Sequence, residues 1–381
     1  MLRFHPRRFI WVLALMLGIW MAGSQAQEYR YHYVSLNKLV PKGYACFLST
    51  GEITNSGQVY GTTYSPRPDY CDDPTADNKP YVAVYKNGTI TVLQVGKAYT
   101  GNEGGTIGGS VYDEDKKVWR AALFHGNKVE LIPRLSKNEL ESYVAKLTDS
   151  GIALVVSVNR YSWPPAVGDW TYALYKNGQL TWPDFGSNPV VPWNLRINNR
   201  GLIAGTQFIE GPPGGPPRVD RAFLLNPRSG ESTQLNPLPL DVLSWGVDTN
   251  NRGDVLGYSF DAFGVPARIG VWSNQGQFET YFDESTVGFV SNTLGFNDNN
   301  LIVVSSIGGS NNNIVVALVP EPGVLLNLKD LVVDLPPKLG VDAIPGVNNH
   351  GDMIGYGCNP CDWTNYTYDT FLLLRVGPKS H

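Results

Sequence analysis

"VYKNGTITV", residues 84–92, returns as "LYKNGQLTW", residues 174–182. Each copy sets Asn-Gly (Asn87-Gly88 and Asn177-Gly178) between β-prone runs, the strongest short-range signal for a two-residue type I′ hairpin. Between the copies, "LFHGNKVEL" at residues 123–131 puts Gly126-Asn127 at the tip of a third hairpin. Tyr85, Phe124 and Tyr175 are then equivalent positions at steps of 39 and 51 residues, so the two quoted phrases stand two units apart. A repeat of this length outranks any domain count taken from chain length.

A second phrase recurs upstream of the hairpins. "ITNSGQVYG" starts at Ile53, "LTDSGIALV" at Leu147, "INNRGLIAG" at Ile197, "TNNRGDVLG" at Thr249, "FNDNNLIVV" at Phe296 and "VNNHGDMIG" at Val347. The interval of 94 between Gly57 and Gly151 holds one degenerate unit in residues 103–124, which brings the count to seven. Asn or Asp at the third place suits a tight turn through a bond to its own backbone. Gly or Asn at the fifth tolerates positive φ. These side chains are read as turn-makers; a calcium loop wants several carboxylates in one short span, and most of these turns carry one or none.

Each unit therefore reads strand A, Asn-x-Gly turn, strand B, long connection, strand C, Gly turn, strand D. Four antiparallel strands in about 50 residues, seven times over, predict an all-β fold: a seven-bladed β-propeller with four-stranded antiparallel blades. No long 3.6-period apolar stripe supports a helical solenoid; a pair of β-sandwiches is the competing arrangement. Residues 369–381 supply strand C of the seventh unit and no strand D, while residues 29–39 form a strand with no A, B or C before it. The N-terminal strand is expected to close the last blade and leave no open edge at the junction.

Composition fits this reading. Only 17% of residues are charged, against 41 Gly and 27 Pro, a turn-rich balance. Arg3, Arg7 and Arg8 precede an apolar run from Phe9 to Met21, and Ser24-Gln25-Ala26 offers a small-x-small cleavage site. Residues 1–26 are read as a secretory signal peptide, with 27–381 as a single propeller domain that is secreted or periplasmic. The apolar run is shorter than the roughly 20 residues of a membrane span. Losing three Arg moves the formal charge from −4 to −7, and nothing in this acidic chain clusters Lys or Arg for nucleic acid.

Four cysteines remain: Cys46, Cys71, Cys358 and Cys361. In an oxidising compartment an even number reads as disulfides. Placement in the repeat favours Cys46–Cys71 and Cys358–Cys361, with cross-pairing between the first and seventh units as the rival. "CNPC" lacks a second ligand pair nearby, so no metal is expected, and no cofactor is implied.

The phrases resemble a family. "INNRGLIAG…RAFLLNPRSGESTQL", residues 197–235, is similar to the bacterial extracellular HAF repeat, whose pattern runs Ile-Asn-x-x-Gly, three apolar residues, Gly, a variable loop, then His-Ala-Phe and an apolar pair. In this chain the triplet reads Arg221-Ala222-Phe223, Trp119-Arg120-Ala121 or Thr171-Tyr172-Ala173. The resemblance spans nearly all of residues 27–381 and implies export and a propeller-like fold. It carries no activity and no catalytic residue.

In such blades the A–B and C–D turns share one end and the B–C and D–A connections the other. Length variation concentrates at the second end, where binding sites usually form on a rigid frame. That end is aromatic: Trp119, Trp163, Trp170 and Trp363 belong to B–C connections or their edges, Trp193 and Trp245 precede strand A, and Tyr161, Tyr366 and Tyr368 join them. Such rings suit stacking on sugar faces or protein hot spots, and equally suit packing between blades. No nucleophile elbow, zinc-protease or phosphate-loop motif is present, and the histidines after residue 26 (His32, His125, His350, His381) lie on different units. The expectation is a non-catalytic exported propeller binding a protein or glycan partner through its long-loop face. The alternative is an extracellular polysaccharide-degrading enzyme, a lyase or glycoside hydrolase, with its site at the central mouth.

Overall fold

A computed structural model describes residues 29–65, 78–161, 169–186, 188–191, 194–211, 218–261, 267–284, 289–308, 313–358 and 368–377. After β1 (Arg30–Ser35) the strands fall into successive sheets. Blade 1 holds β2 (Ala45–Ile53), β3 (Val59–Ser65), β4 (Lys79–Lys86) and β5 (Thr89–Val95). Blade 2 holds β6 (Lys97–Gly101), β7 (Thr106–Asp113), β8 (Val118–His125) and β9 (Lys128–Leu131). Blade 3 holds β10 (Glu141–Leu147), β11 (Ala153–Val158), β12 (Trp170–Lys176) and β13 (Gln179–Thr181). Blade 4 holds β14 (Arg196–Ile197), β15 (Ile203–Glu210), β16 (Arg218–Asn226) and β17 (Glu231–Leu235). Blade 5 holds β18 (Leu243–Thr249), β19 (Val255–Phe260), β20 (Arg268–Trp272) and β21 (Phe278–Asp283). Blade 6 holds β22 (Phe289–Phe296), β23 (Ile302–Gly308), β24 (Asn313–Val319) and β25 (Leu326–Asn327). Blade 7 is completed by both ends of the chain: β26 (Gly340–Val347), β27 (Met353–Cys358), β28 (Tyr368–Val376) and β1 on the outside.

This is the seven-bladed, four-stranded antiparallel propeller the repeats predict. β1 pairs with β28 from Arg30↔Val376 to Ser35↔Phe371, and Tyr31, fully buried, joins the core that holds Phe371 and Leu373. Across the seam, Leu36, Phe47, Val59 and Ala83 pack with Ile354 and Leu372. The junction of first and last blades is thus filled like the others.

Strand position explains the sequence pattern. Middle strands are covered on both faces, so they read as apolar runs; all six residues of β11 are buried. Outer strands face solvent, and β17 exposes four of its five residues. The Asn-Gly hairpins have φ of +49° and +80° at Asn87-Gly88 and +50° and +81° at Asn177-Gly178, both residues left-handed as a type I′ turn requires. The glycine at the ninth place of the upstream phrase has a different purpose. A Cβ on Gly257 would stand 1.9 Å from the Trp245 carbonyl oxygen, so only glycine lets β18 lie this close to β19.

Candidate functional site: the central channel

The innermost strand of each blade lines the central channel, and the channel's two ends are built differently. At the turn end, the fifth-place residue of all seven A–B turns has positive φ, including Gly105 (+82°) in the degenerate second blade and Asn300 (+60°) in the sixth. Local turn bonding, however, belongs to the second place of the phrase and not the third. Asn198 Oδ1 accepts from the backbone N–H of Arg200 (3.0 Å) and Leu202 (3.1 Å), and Asn250, Asn297 and Asn348 repeat the arrangement.

The third-place side chains reach sideways to the neighbouring blade. The backbone N–H of Asn55 donates to Glu103, Glu103 to Asp149 (3.0 Å), Asp149 to Asn199 (2.7 Å) and Asn199 to Asn251 (2.9 Å). The series continues from Asn251 to Asp298 (2.7 Å), Asp298 to Asn349 (3.0 Å) and Asn349 back to Asn55 (2.8 Å). Seven turns form one closed cycle of hydrogen bonds. Glu103 and Asp149 are neighbours in the cycle, whereas Asp298 stands between amides and also accepts from the side chains of Asn251 (2.9 Å) and Asn349 (2.7 Å). A second set of bonds lies beneath it, with the side-chain amide of Asn102, Asn198, Asn297 and Asn348 donating to the next blade's Thr148, Asn250, Asn348 and Thr54 carbonyls.

Under this ring the channel is charged on one side. Bulges in β6, β10 and β18 fall just before Thr100, Lys146 and Asp248, and a bulge re-aims the side chain that follows it. Lys146 Nζ reaches Glu52 Oε1 at 2.8 Å, and Thr100 donates to the other Glu52 oxygen at 2.8 Å. Burial raises the Asp248 carboxyl above its ordinary pKa, against the pull of Lys146 and Arg196. The corresponding places in blades 6 and 7 are Gly295 and Gly346; a Cβ on Gly346 would meet the Gly51 carbonyl oxygen at 2.4 Å. The cavity between ring and charged layer holds about 160 Å³, below the several hundred Å³ of ordinary ligand sites.

The loop end is aromatic. Tyr99 of β6 and Tyr143 of β10 meet across blades 2 and 3 with ring centroids 5.2 Å apart. Tyr44 and Tyr81 make an edge-to-face pair at 5.3 Å in blade 1. Lys97 Nζ lies 4.3 Å over the Trp119 ring, which Tyr112 meets at 5.5 Å. Burial lowers the Lys97 pKa, opposed by Glu141. Burial raises the Tyr143 phenol to about 12, and the exposed Tyr161 hydroxyl hydrogen-bonds the Glu141 carboxylate. Tyr64 and Tyr99 shift upward as well, chiefly through burial. These phenols remain protonated donors at neutral pH and make poor bases there.

Trp170 opens β12 at this end, half-buried. Trp245, expected before strand A, lies inside β18: its Nε1 donates to Asp220 Oδ2 at 2.7 Å, and its ring meets Phe260 edge-on at 5.7 Å. The indole is half-buried between blades 4 and 5. Trp163, Trp193, Trp363 and Tyr366 lie outside the described residues. Cys46 and Cys358 are both disulfide-bonded, while Cys71 and Cys361, which decide the pairing, also lie outside them. Among the described residues no group of three or more His, Cys, Asp or Glu is arranged to hold a metal ion, and no helix is long and apolar enough to cross a membrane. Sequence reading does not single out Tyr99, Tyr143, Lys97 and Glu141; the available signal is their place at the loop end of strand A.

No family model and no curated protein matches the chain. Solved propellers do. The β-propeller domain of the Trilobed protease from Pyrococcus furiosus superposes with a TM-score of 0.54 at 9% identity, covering 88% of this chain and 99% of that one. That domain is described as having an open velcro topology, whereas in this chain β1 joins β28. Pyrococcus horikoshii acylaminoacyl peptidase gives 0.55 at 11% identity over 88% of this chain and 52% of that one. The present chain thus spans about half the length of that peptidase, and at these identities the likeness is one of fold.

Proposed function

We propose that the protein is an exported propeller that binds a glycan at the loop end of its central channel and does not turn it over. One observation carries the reading: Tyr64, Tyr99, Tyr143 and Tyr161 converge from three consecutive blades beside Lys97 and Glu141. Flat rings stack on sugar C–H faces; protonated phenols, an ammonium and a carboxylate offer donors and an acceptor for hydroxyls. Trp170 opens β12 at the same end, and Trp163, Trp193, Trp363 and Tyr366 are the further ring candidates that the sequence offers. Export by removal of residues 1–26 and the pairing Cys46–Cys71 with Cys358–Cys361 complete the reading, in line with the extracellular repeat the phrases resemble.

A soluble-glycan array probed with the processed chain tests it. Binding should appear for the wild type and fall at least tenfold in Tyr99→Ala and in Tyr143→Ala, with no new sugar ends formed. Unsaturated or reducing ends would establish the polysaccharide-degrading alternative instead. An unchanged array profile in both variants would remove the site. Non-reducing peptide mapping decides the disulfides, and a link from Cys46 to Cys358 or Cys361 would reject the pairing within single blades.

A further inference from the structure

The opposite face carries a groove that the loop-end reading does not use. It is bordered by the second copy of the repeated hairpin phrase: Leu174, Lys176, Asn177, Gln179, Thr181 and Trp182 all line it, together with Arg228 from the C–D turn of blade 4. Its volume is about 410 Å³, within the range of small-molecule sites. The groove exists because the outer strand stops early. β13 has three residues where β5 has seven, and Pro183 follows Trp182 with no N–H to continue a ladder. Ile152 and Leu174 form its apolar floor, each only 8% exposed.

One departure from the first copy of the phrase is chemical. Val92 there is half-buried; its counterpart Trp182 is 59% exposed. The groove also contains Lys176 and Arg228 and no acidic residue, and neither cation has an ion-pair partner among the described residues. An exposed indole beside two uncompensated cations, with amides and a hydroxyl from Asn177, Gln179 and Thr181, is complementary to a flat, hydroxylated anion. We propose that this groove is a second binding site, taking an acidic sugar residue with its ring on Trp182 and its carboxylate facing Lys176 and Arg228.

The test uses the processed full chain and matched tetrasaccharides: cellotetraose, its C6-carboxyl counterpart cellotetrauronate, and tetragalacturonate as a second linkage, titrated by calorimetry. At least one uronate should bind tenfold or more tightly than cellotetraose. Trp182→Ala should abolish that binding, and Lys176→Gln with Arg228→Gln should reduce it to the neutral level. Tyr99→Ala with Tyr143→Ala should leave it unchanged, which separates this site from the loop end. Because Trp182, Lys176 and Arg228 are exposed, the groove variants should keep the wild-type melting temperature. Equal affinity for charged and neutral sugars, no uronate binding, or undiminished binding by Trp182→Ala would each overturn the proposal, as would binding confined to a polyglutamate peptide.

Discussion

The two ends of the central channel are made by the same seven strands and have opposite designs. At the turn end every blade contributes a short turn of one geometry, and the third-place side chains close a hydrogen-bonded cycle from Asn55 round to Asn349. At the loop end connection lengths differ from blade to blade, and the described residues there include tyrosines, tryptophans, Lys97 and Glu141. The contrast separates two demands on a propeller. Closing a ring requires each blade to repeat the same contact, so that end is held to one pattern. Recognising a ligand requires that blades differ, and that end is free to do so.

The largest effect should come from breaking the turn end at the seam. Asn348 is 3% exposed; its amide donates to Thr54 O at 3.0 Å, and its oxygen accepts from His350 and Asp352 N–H. Asn348→Ala strands these groups together and should cost about 3 kcal/mol in a urea melt. Asp298→Ala, in the half-exposed ring above, should cost less, about 1–2 kcal/mol. Asp298→Asn should also destabilise, by about 1 kcal/mol, since it turns an amide donor toward the donors of Asn251 or Asn349. At the loop end Tyr161→Ala should change stability by less than about 0.5 kcal/mol, its ring being 64% exposed, while weakening glycan binding. Equal stability losses at the two ends would erase the distinction.

The smallest effect is one of pH. The Asp248 pKa is raised in the folded protein, chiefly by burial, so folding favours its protonated form. That favourable contribution is complete in acid, below the unfolded carboxylate range, and is lost as pH rises through the raised value. Asp248→Asn should therefore gain stability relative to wild type as pH increases across that window, measured by melts in buffers of matched ionic strength. A difference independent of pH would mean that the channel does not bury this carboxylate.

The architecture was legible because a propeller repeats its turn chemistry: the Asn-Gly hairpin recurs in blades 1 and 3, the fifth-place glycine survives in most blades, and even the degenerate second unit keeps Gly105 at positive φ. Reading the third-place Asn and Asp as local turn-makers missed their partners, since a bond from Asn199 to Asn251 spans 52 residues and no local window contains it. Bulges before Lys146 and Asp248 depend on how two strands register, which one strand's sequence does not record. Tyr99 and Tyr143 look like ordinary strand aromatics until β6 and β10 are known to line the channel. Trp245 shows the converse: it lies inside β18 and not before it, and its indole N–H is committed to Asp220.

Amide hydrogen exchange at the seven third-place residues tests the closed cycle most directly. The backbone N–H groups of Asn55, Glu103, Asp149, Asn199, Asn251, Asp298 and Asn349 sit in turns at the protein surface, yet all seven should exchange slowly and at comparable rates. Free-peptide exchange at Asn349, with protection at the other six, would show instead that the ring is open where its two ends meet.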